Sequence, residues 1–294
     1  MKQNCYPFEI WPGPMEGVGK TEFVEAVNTL KLCDRWMTPF LRLSGAIPAE
    51  RKLREFAADY LDSRLPVTIQ LMGTDPDLLG KCAAKMLELT GAAGININMG
   101  CPSLRVVKNG GGGGLLKKPE QIAGFCRTVA GYLPPEMLSV KIRAGYDSPE
   151  DMQIYLPELA SDGAVSKIFF HYRTVTENYS PAPLPEREQR IAAAVKLAGQ
   201  VPVIANGDIS SVEDAENVCK VTQCAGIMTA RPWMRDPFLL RRFTDQTAPD
   251  AATGRELFFA ELQKQGVSGG ALIEMARMLW GVNSKNFLQL IANC

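Results

Sequence analysis

Ile95-Asn96-Ile97-Asn98-Met99-Gly100-Cys101-Pro102 is a short β-rich run that stops at a glycine and a proline, and its reading decides the architecture. A run of this length bounded by a Gly/Pro turn predicts a strand, with a cysteine on the loop just beyond its C-terminal end. Similar runs lie on either side of it: residues 8–11, 40–43 and 67–71 before it, and 138–142, 167–170, 201–205 and 225–228 after it. Helical stretches separate them. Pro76 stands where a first helical residue tolerates it, and Leu78, Cys82 and Met86 then recur at four-residue spacing. Ile122, Phe125, Cys126 and Val129 repeat an i, i+3, i+4, i+7 stripe, and Ser211 with Asp214 reads as a capping box. Eight strands alternating with helices over roughly 240 residues predict an α/β fold, a closed (β/α)8 TIM barrel, with an open doubly wound sheet as the rival.

The pattern changes after about Arg242. Thr244-Asp245-Gln246-Thr247-Ala248-Pro249-Asp250 is polar and strand-free, and only helical periodicity follows. The boundaries read are therefore 1–243 for the barrel and 244–294 for a small C-terminal all-helical domain.

The chain of 294 residues is 46% apolar with 32 basic and 32 acidic side chains, a formal net charge of zero and a mean hydropathy of -0.06. This excludes disorder as the main state and excludes a polycation, so any nucleic-acid contact must come from a local basic patch. No run of about 18 apolar residues predicts a membrane span, and the N-terminus shows no apolar stretch followed by a small-residue cleavage site. The expected location is cytoplasmic, with no membrane partner. Eight cysteines without a C-x-x-C pair read as free thiols, and with His171 as the single histidine no metal site is expected.

In a closed barrel the working face lies at the C-terminal ends of the strands. Polar residues crowd those ends: Gln70, Asn98, Lys141 with Arg143, His171 with Arg173, Asn206-Gly207-Asp208, and Arg231. Lys141 interrupts an apolar strand, where an unpaired ammonium is costly, so it should face an anion or water at the barrel mouth. His171 directly follows Ile168-Phe169-Phe170 and reads as a ligand contact rather than a packing residue. Residues 110–114 are consecutive glycines, which either free the backbone to approach a ligand or form a mobile loop. Cys101 lies near Arg105 and Lys108. Cationic neighbours favour a reactive thiolate, whereas a proton donor must remain a thiol, and a plain packing cysteine is the third reading.

Taken in order, Gly13-Pro14-Met15-Glu16-Gly17-Val18, Asn98-Met99-Gly100-Cys101-Pro102 with the glycine run, Val140-Lys141-Ile142-Arg143-Ala144-Gly145, His171-Tyr172-Arg173-Thr174 and Ala205-Asn206-Gly207-Asp208-Ile209 resemble the tRNA-dihydrouridine synthase (Dus) family. The resemblance spans about residues 10 to 240 and extends to the helical tail. It implies a flavin-dependent oxidoreductase with FMN as cofactor, reducing the C5–C6 double bond of uridines in tRNA, re-reduced by NADPH or NADH. By that resemblance Pro14 and Met15 line the flavin, Gln70 and Lys141 contact its ring and His171 its lower side, Asn206 with the Ala230-Arg231 segment holds its ribityl phosphate end, and Gly207 and Asp208 are further cofactor contacts. Cys101 is the implied general acid. Asn98, Arg105, Lys108, Arg143, Arg173 and Tyr179 are the implied substrate contacts, with Lys117, Lys118, Arg277 and Lys285 as further phosphate candidates. An enzyme of this kind must draw the uridine out of its stack into the barrel mouth.

Four features differ from the family pattern. Ala230-Arg231-Pro232 replaces a Gly-Arg-Gly turn, so a backbone N–H is lost at Pro232; Leu104 and Asn96 replace a lysine and an aspartate; and no Asp-Trp pair follows Tyr179. From Asp245 onward four basic residues face five acidic ones, where an RNA-gripping tail would be basic. Two rival functions remain at this point: a flavin-dependent reductase of a free pyrimidine or other small enone, and a catalytically inactive RNA-binding barrel.

Overall fold

The computed structural model describes residues 7–16, 21–161, 163–181 and 183–292. Among the described residues nine parallel strands make one sheet: β1 (Glu9–Pro12), β2 (Trp36–Met37), β3 (Leu41–Arg42), β4 (Val67–Met72), β5 (Gly94–Met99), β6 (Leu138–Arg143), β7 (Lys167–His171), β8 (Val203–Asn206) and β9 (Gly226–Thr229). Their order is β1-β9-β8-β7-β6-β5-β4-β2, with β3 also on β4. The first strand pairs with the last, Ile10 opposite Ile227, which no open doubly wound sheet does. The sheet is a nearly closed TIM-type barrel, and among the described residues its one seam without a ladder lies between β1 and β2.

The second strand differs from the expected run at 40–43. It is split into β2 and β3, both paired with β4: Met37 lies opposite Thr68, an offset of 31, and Leu41 opposite Leu71, an offset of 30. One extra residue is therefore absorbed at Thr38-Pro39-Phe40, where Pro39 has no N–H for the ladder.

Period-two alternation sends side chains to two cores. Ile95, Ile97, Met99, Val140, Ile142 and Phe170 join the large core between sheet and helices. Trp11, Met37, Phe169, Ile204 and Met228 form a smaller plug inside the barrel, where Trp11 and Phe169 meet edge to face at 4.9 Å. Above the plug the interior positions turn polar.

The crossover helices include α1 (Thr21–Thr29), α2 (Glu50–Asp62), α3 (Pro76–Thr90), α5 (Ile122–Ala130), α6 (Met152–Ala160), α7 (Leu184–Leu197) and α8 (Val212–Thr222); a short α4 (Leu104–Lys108) follows β5. Asp75 caps α3 by accepting the Leu78 N–H at 3.0 Å. Ser211 caps α8 by accepting the Asp214 N–H at 3.0 Å, but the box is only half formed because the Asp214 carboxylate turns to Arg187. After β9 come α9 (Arg231–Arg235), α10 (Leu239–Arg242), α11 (Ala251–Lys264), α12 (Gly269–Trp280) and α13 (Lys285–Ala292). Phe258, Leu262, Met275 and Leu279 of this helical tail belong to the same buried core as the barrel, with Phe23 and Phe258 edge to face at 5.6 Å. Cys33, Cys82, Cys101, Cys126, Cys219 and Cys224 are free thiols; Cys5 and Cys294 lie outside the described residues. Among the described residues no helix is long and apolar enough to cross a membrane.

Candidate active site

A cavity of about 720 Å³ opens at the C-terminal mouth of the barrel. It gathers Pro14, Met15, Gln70, Asn98, Cys101, Lys141, Arg143, His171, Tyr179, Asn206, Gly207, Asp208, Ala230 and Arg231, which come from the start of the chain and from the ends of strands and loops up to α9. Register explains part of the convergence: Asn98 lies opposite Lys141, Arg143 opposite His171 and His171 opposite Asn206 on neighbouring strands, so their side chains share the inner face. Gly17 and Val18 of the N-terminal motif lie outside the described residues.

Cys101 sits on the loop after β5. The Asn98 Oδ1 accepts the N–H groups of Gly100 at 3.1 Å and Cys101 at 3.0 Å, folding the loop over its own strand end. Burial pushes the Cys101 thiol above its ordinary value, with Glu16 adding to the effect and Lys141 and Arg143 opposing it. The group is therefore a half-buried thiol, suited to giving up a proton rather than acting as a standing thiolate.

The glycine run takes neither of the roles expected from sequence. Gly113 donates its N–H to the Cys101 carbonyl at 3.0 Å, and a Cβ there would come within 2.6 Å of Val175 Cγ2. Gly112 has φ +54, and its Cβ would meet Val106 and Cys101 at 2.9 and 3.0 Å. Residues 112–114 are buried and brace the cysteine loop from beneath.

Lys141 is held down to about 8 by burial, with Arg143 reinforcing the shift; among the described residues no hydrogen bond or ion pair engages its ammonium. An unpartnered cation in a cavity of this size fits a ring edged with carbonyl oxygens or an anion. His171 is buried and kept well below its ordinary value by desolvation and by Arg143, Lys141, Arg173 and Arg231, so the ring is neutral. Gly207, at φ +118, runs so close to the Tyr172 ring that a Cβ would lie 2.7 Å from it.

The expected substrate contacts divide. Arg143 is 2% exposed and donates to the carbonyls of Gly100 at 2.8 Å, Thr174 at 2.8 Å and Asn178 at 2.7 Å, tying the Cys101 loop to the loop after β7. Tyr179 is half exposed, with the guanidinium of Arg231 4.2 Å and that of Arg143 5.3 Å from its ring centroid. Arg173 corrects the sequence reading: it is buried, bound to the Asp208 carboxylate and donating to the Ser180 carbonyl at 2.6 Å, so it is not available to an RNA phosphate. Arg105 and Lys108 stand exposed on α4 outside the cavity lining, and Lys117 lies over the Tyr146 ring at 4.9 Å. Asp208 ties the floor together; burial works against its charge, but Arg173, Tyr172 and Arg231 hold the carboxyl below its usual range.

Sequence reasoning missed Glu16, Phe40, Met228, Thr229, Met234 and Arg235, all in the cavity lining. Phe40 was assigned to a strand, and only the proline beside it marks the break. Arg277, Met278, Gly281 and Val282 of the tail also line the cavity, so the mouth is completed by residues far along the chain.

The chain matches the family described as Dihydrouridine synthase (Dus) over residues 12–269. It belongs to the dihydrouridine synthase family. Among relatives of this dihydrouridine synthase family member, a protein of Cupriavidus necator named tRNA-dihydrouridine(16) synthase is 34% identical over 235 residues, covering 78% of this chain and 71% of the relative. A protein of Yersinia pestis with the same name is 31% identical over 277 residues, covering 90% and 86%. Among solved structures, a variant of NCR from Zymomonas mobilis has a TM-score of 0.55 at 15% identity, covering 81% of this chain and 87% of that one. Morphinone reductase in complex with tetrahydroNAD has a TM-score of 0.54 at 11% identity, covering 82% and 87%. These two share the fold of the dihydrouridine synthase barrel described above.

Proposed function

We propose that this chain reduces the C5–C6 double bond of a uridine in tRNA to dihydrouridine, with FMN as the cofactor and NADPH or NADH as the reductant. The observation that carries the reading is a half-buried, protonated Cys101 thiol opening onto the same cavity as the unpartnered Lys141 ammonium and the neutral His171. Pro14, Met15, Gln70, Lys141 and His171 are the residues that hold the flavin ring. Asn206 with Ala230 and Arg231 holds its ribityl phosphate end, with the cation of Arg231 at the exposed edge, and Gly207 and Asp208 are further cofactor contacts. Pro232 stands in the first turn of α9, where a missing N–H breaks no helical bond; the phosphate then relies on side-chain cations more than on backbone donors.

A flavin held by these residues would, in its reduced form, supply the hydride for C6 of the uracil. Cys101 gives its proton to C5, and the surrounding desolvation keeps that proton in place until it is needed. Asn98 keeps one amide N–H for the base, Tyr179 offers an exposed ring at the mouth, and Arg105 and Lys108 meet RNA phosphates from α4. The segment 244–294 is the RNA-facing helical part, contributing Arg277 to the rim. The names of the relatives favour position 16 of the tRNA, and a cytoplasmic location follows from that substrate.

The test is incubation of the purified protein with unmodified tRNA and NADPH, with dihydrouridine counted and mapped by mass spectrometry. Product at position 16 from the wild type and none from Cys101→Ala is the expected result. Equal product from both overturns the assignment of Cys101, and reduction of free uridine without tRNA turnover overturns the substrate.

A further inference from the structure

Beneath the cavity a single chain of hydrogen bonds crosses three strands. Ser139 Oγ donates to the Ile95 carbonyl at 3.0 Å and accepts from Asn96 Nδ2 at 2.9 Å. Asn96 Oδ1 accepts from Gln70 Nε2 at 2.8 Å. Gln70 Oε1 accepts from Asn98 Nδ2 at 3.0 Å, and Asn98 Oδ1 takes the Gly100 and Cys101 N–H groups. Gln70 and Asn96 are fully buried, and Ser139 is 8% exposed.

The polarity of this chain is set at both ends, by the Ile95 carbonyl that takes the Ser139 hydroxyl proton and by the two backbone N–H groups that require the Asn98 oxygen. A hydroxyl that donates to a main-chain carbonyl is left to accept from Asn96, so Asn96 must turn its NH2 to Ser139 and its oxygen to Gln70. Gln70 must then turn its NH2 to Asn96 and its oxygen to Asn98. Asn98 is left with its oxygen toward the cysteine loop, the only orientation that can receive two backbone N–H groups. Reversing any one amide would set donor against donor or acceptor against acceptor in a buried place, which costs far more than the bond itself returns.

We propose that Asn96 and Ser139, neither of which lines the cavity, are positioning residues that fix the amide of Gln70 from below and, through its bond to Asn98 Nδ2, anchor the side chain that holds the Cys101 loop in its working geometry. The functional part of this inference rests on Cys101 being the proton donor of the reaction proposed above; the structural part does not.

The experiment follows Cys101 directly, by peptide-resolved mass spectrometry of its alkylation with iodoacetamide, alongside dihydrouridine formation normalised to folded protein. Asn96→Leu keeps the branched shape and removes every polar atom of the side chain; Asn96→Asp keeps an acceptor for Gln70; Ser139→Ala and Ser139→Thr remove and retain the hydroxyl. Asn96→Leu and Ser139→Ala are expected to raise the Cys101 alkylation rate about fivefold, the worth of one net hydrogen bond in a local opening equilibrium. They are expected to lower kcat with KM changed by less than about twofold. Asn96→Asp and Ser139→Thr should stay near wild type in both. A packing role makes the opposite forecast, with leucine milder than a buried aspartate. Should Asn96→Leu fail to fold, the Ser139 pair decides alone. Unchanged alkylation in Ser139→Ala, or the same change in Ser139→Thr, overturns the proposal. A wild type that forms no dihydrouridine sinks the functional reading while the alkylation series still judges the positioning.

Discussion

The backbone N–H of Arg173 donates to His171 Nδ1 at 3.3 Å, so the neutral ring carries its proton on Nε2 and offers it as a donor. Nε2 lies toward Gly207, 3.3 Å from where a Cβ at that glycine would stand. A main-chain contact two residues away thus selects the tautomer of the one imidazole in the chain.

That depressed histidine makes the fold acid-sensitive. Below about pH 6.5 the unfolded chain binds a proton at this residue and the folded one does not, so stability falls as pH drops through the unfolded value. Urea melts across this range should show up to about 1.4 kcal/mol per pH unit from this residue. The slope should flatten in His171→Asn, and an unchanged slope in that variant contradicts the assignment.

Lys141 works in the alkaline range. Its ammonium is held down to about 8, so above that pH it becomes neutral and loses its attraction for an anionic or carbonyl-rich ligand. FMN affinity, read by flavin fluorescence, should weaken as pH rises through about 8, and Lys141→Arg should carry the limb to higher pH. The stability term has the opposite sign: between about 8 and the ordinary lysine value near 10.4 the unfolded chain binds more protons, so this residue adds stability as pH rises.

Gly113→Ala should damage the cysteine loop. The new methyl would stand 2.6 Å from Val175 Cγ2 and 3.0 Å from the Cys101 carbonyl, an overpacking worth about 1–3 kcal/mol. Because the contact falls on the Cys101 backbone, a fall in dihydrouridine formation larger than the fall in Tm is the expected result, checked by assaying well below the midpoint.

Two arginines on one carboxylate should behave differently. The Arg173 side chain is 2% exposed, the Arg231 side chain 53% and the Asp208 side chain 40%. Arg173→Met should cost about 2 kcal/mol in chemical denaturation, less than a fully buried pair because Asp208 reaches solvent, whereas Arg231→Met should change stability by less than about 1 kcal/mol. The second variant should instead weaken FMN binding.

Arg105 and Lys108, exposed on α4, should act only through RNA phosphates. Each alanine variant should lower the slope of log affinity against log salt by about 0.9 for a duplex contact and about 0.7 for a single strand. Tm should not move.

The barrel was legible because eight β-rich runs separated by helical stripes admit few architectures, and the rim residues were legible because strand ends in a barrel share a face. The second strand was not: its pairing depends on where β4 accepts it, and the extra residue near Pro39 shows only in the register. The glycine run was misread for a similar reason. Its glycines answer to Val106, Val107 and Val175 and to the cysteine loop, neighbours that composition alone does not name.

The amino-acid sequence by itself therefore determined the architecture, the polar character of the barrel mouth and the presence of Cys101 there, since all three follow from local periodicity. Tertiary structure alone decided which cations remain free. Arg173 is taken by Asp208, 35 residues on, Arg143 by carbonyls as far as 43 residues away, and Lys141 by none among the described residues. Spacing along a strand chooses the face a side chain points to, but its partner, and with it the protonation state and availability, is set by segments that only folding brings within hydrogen-bond reach.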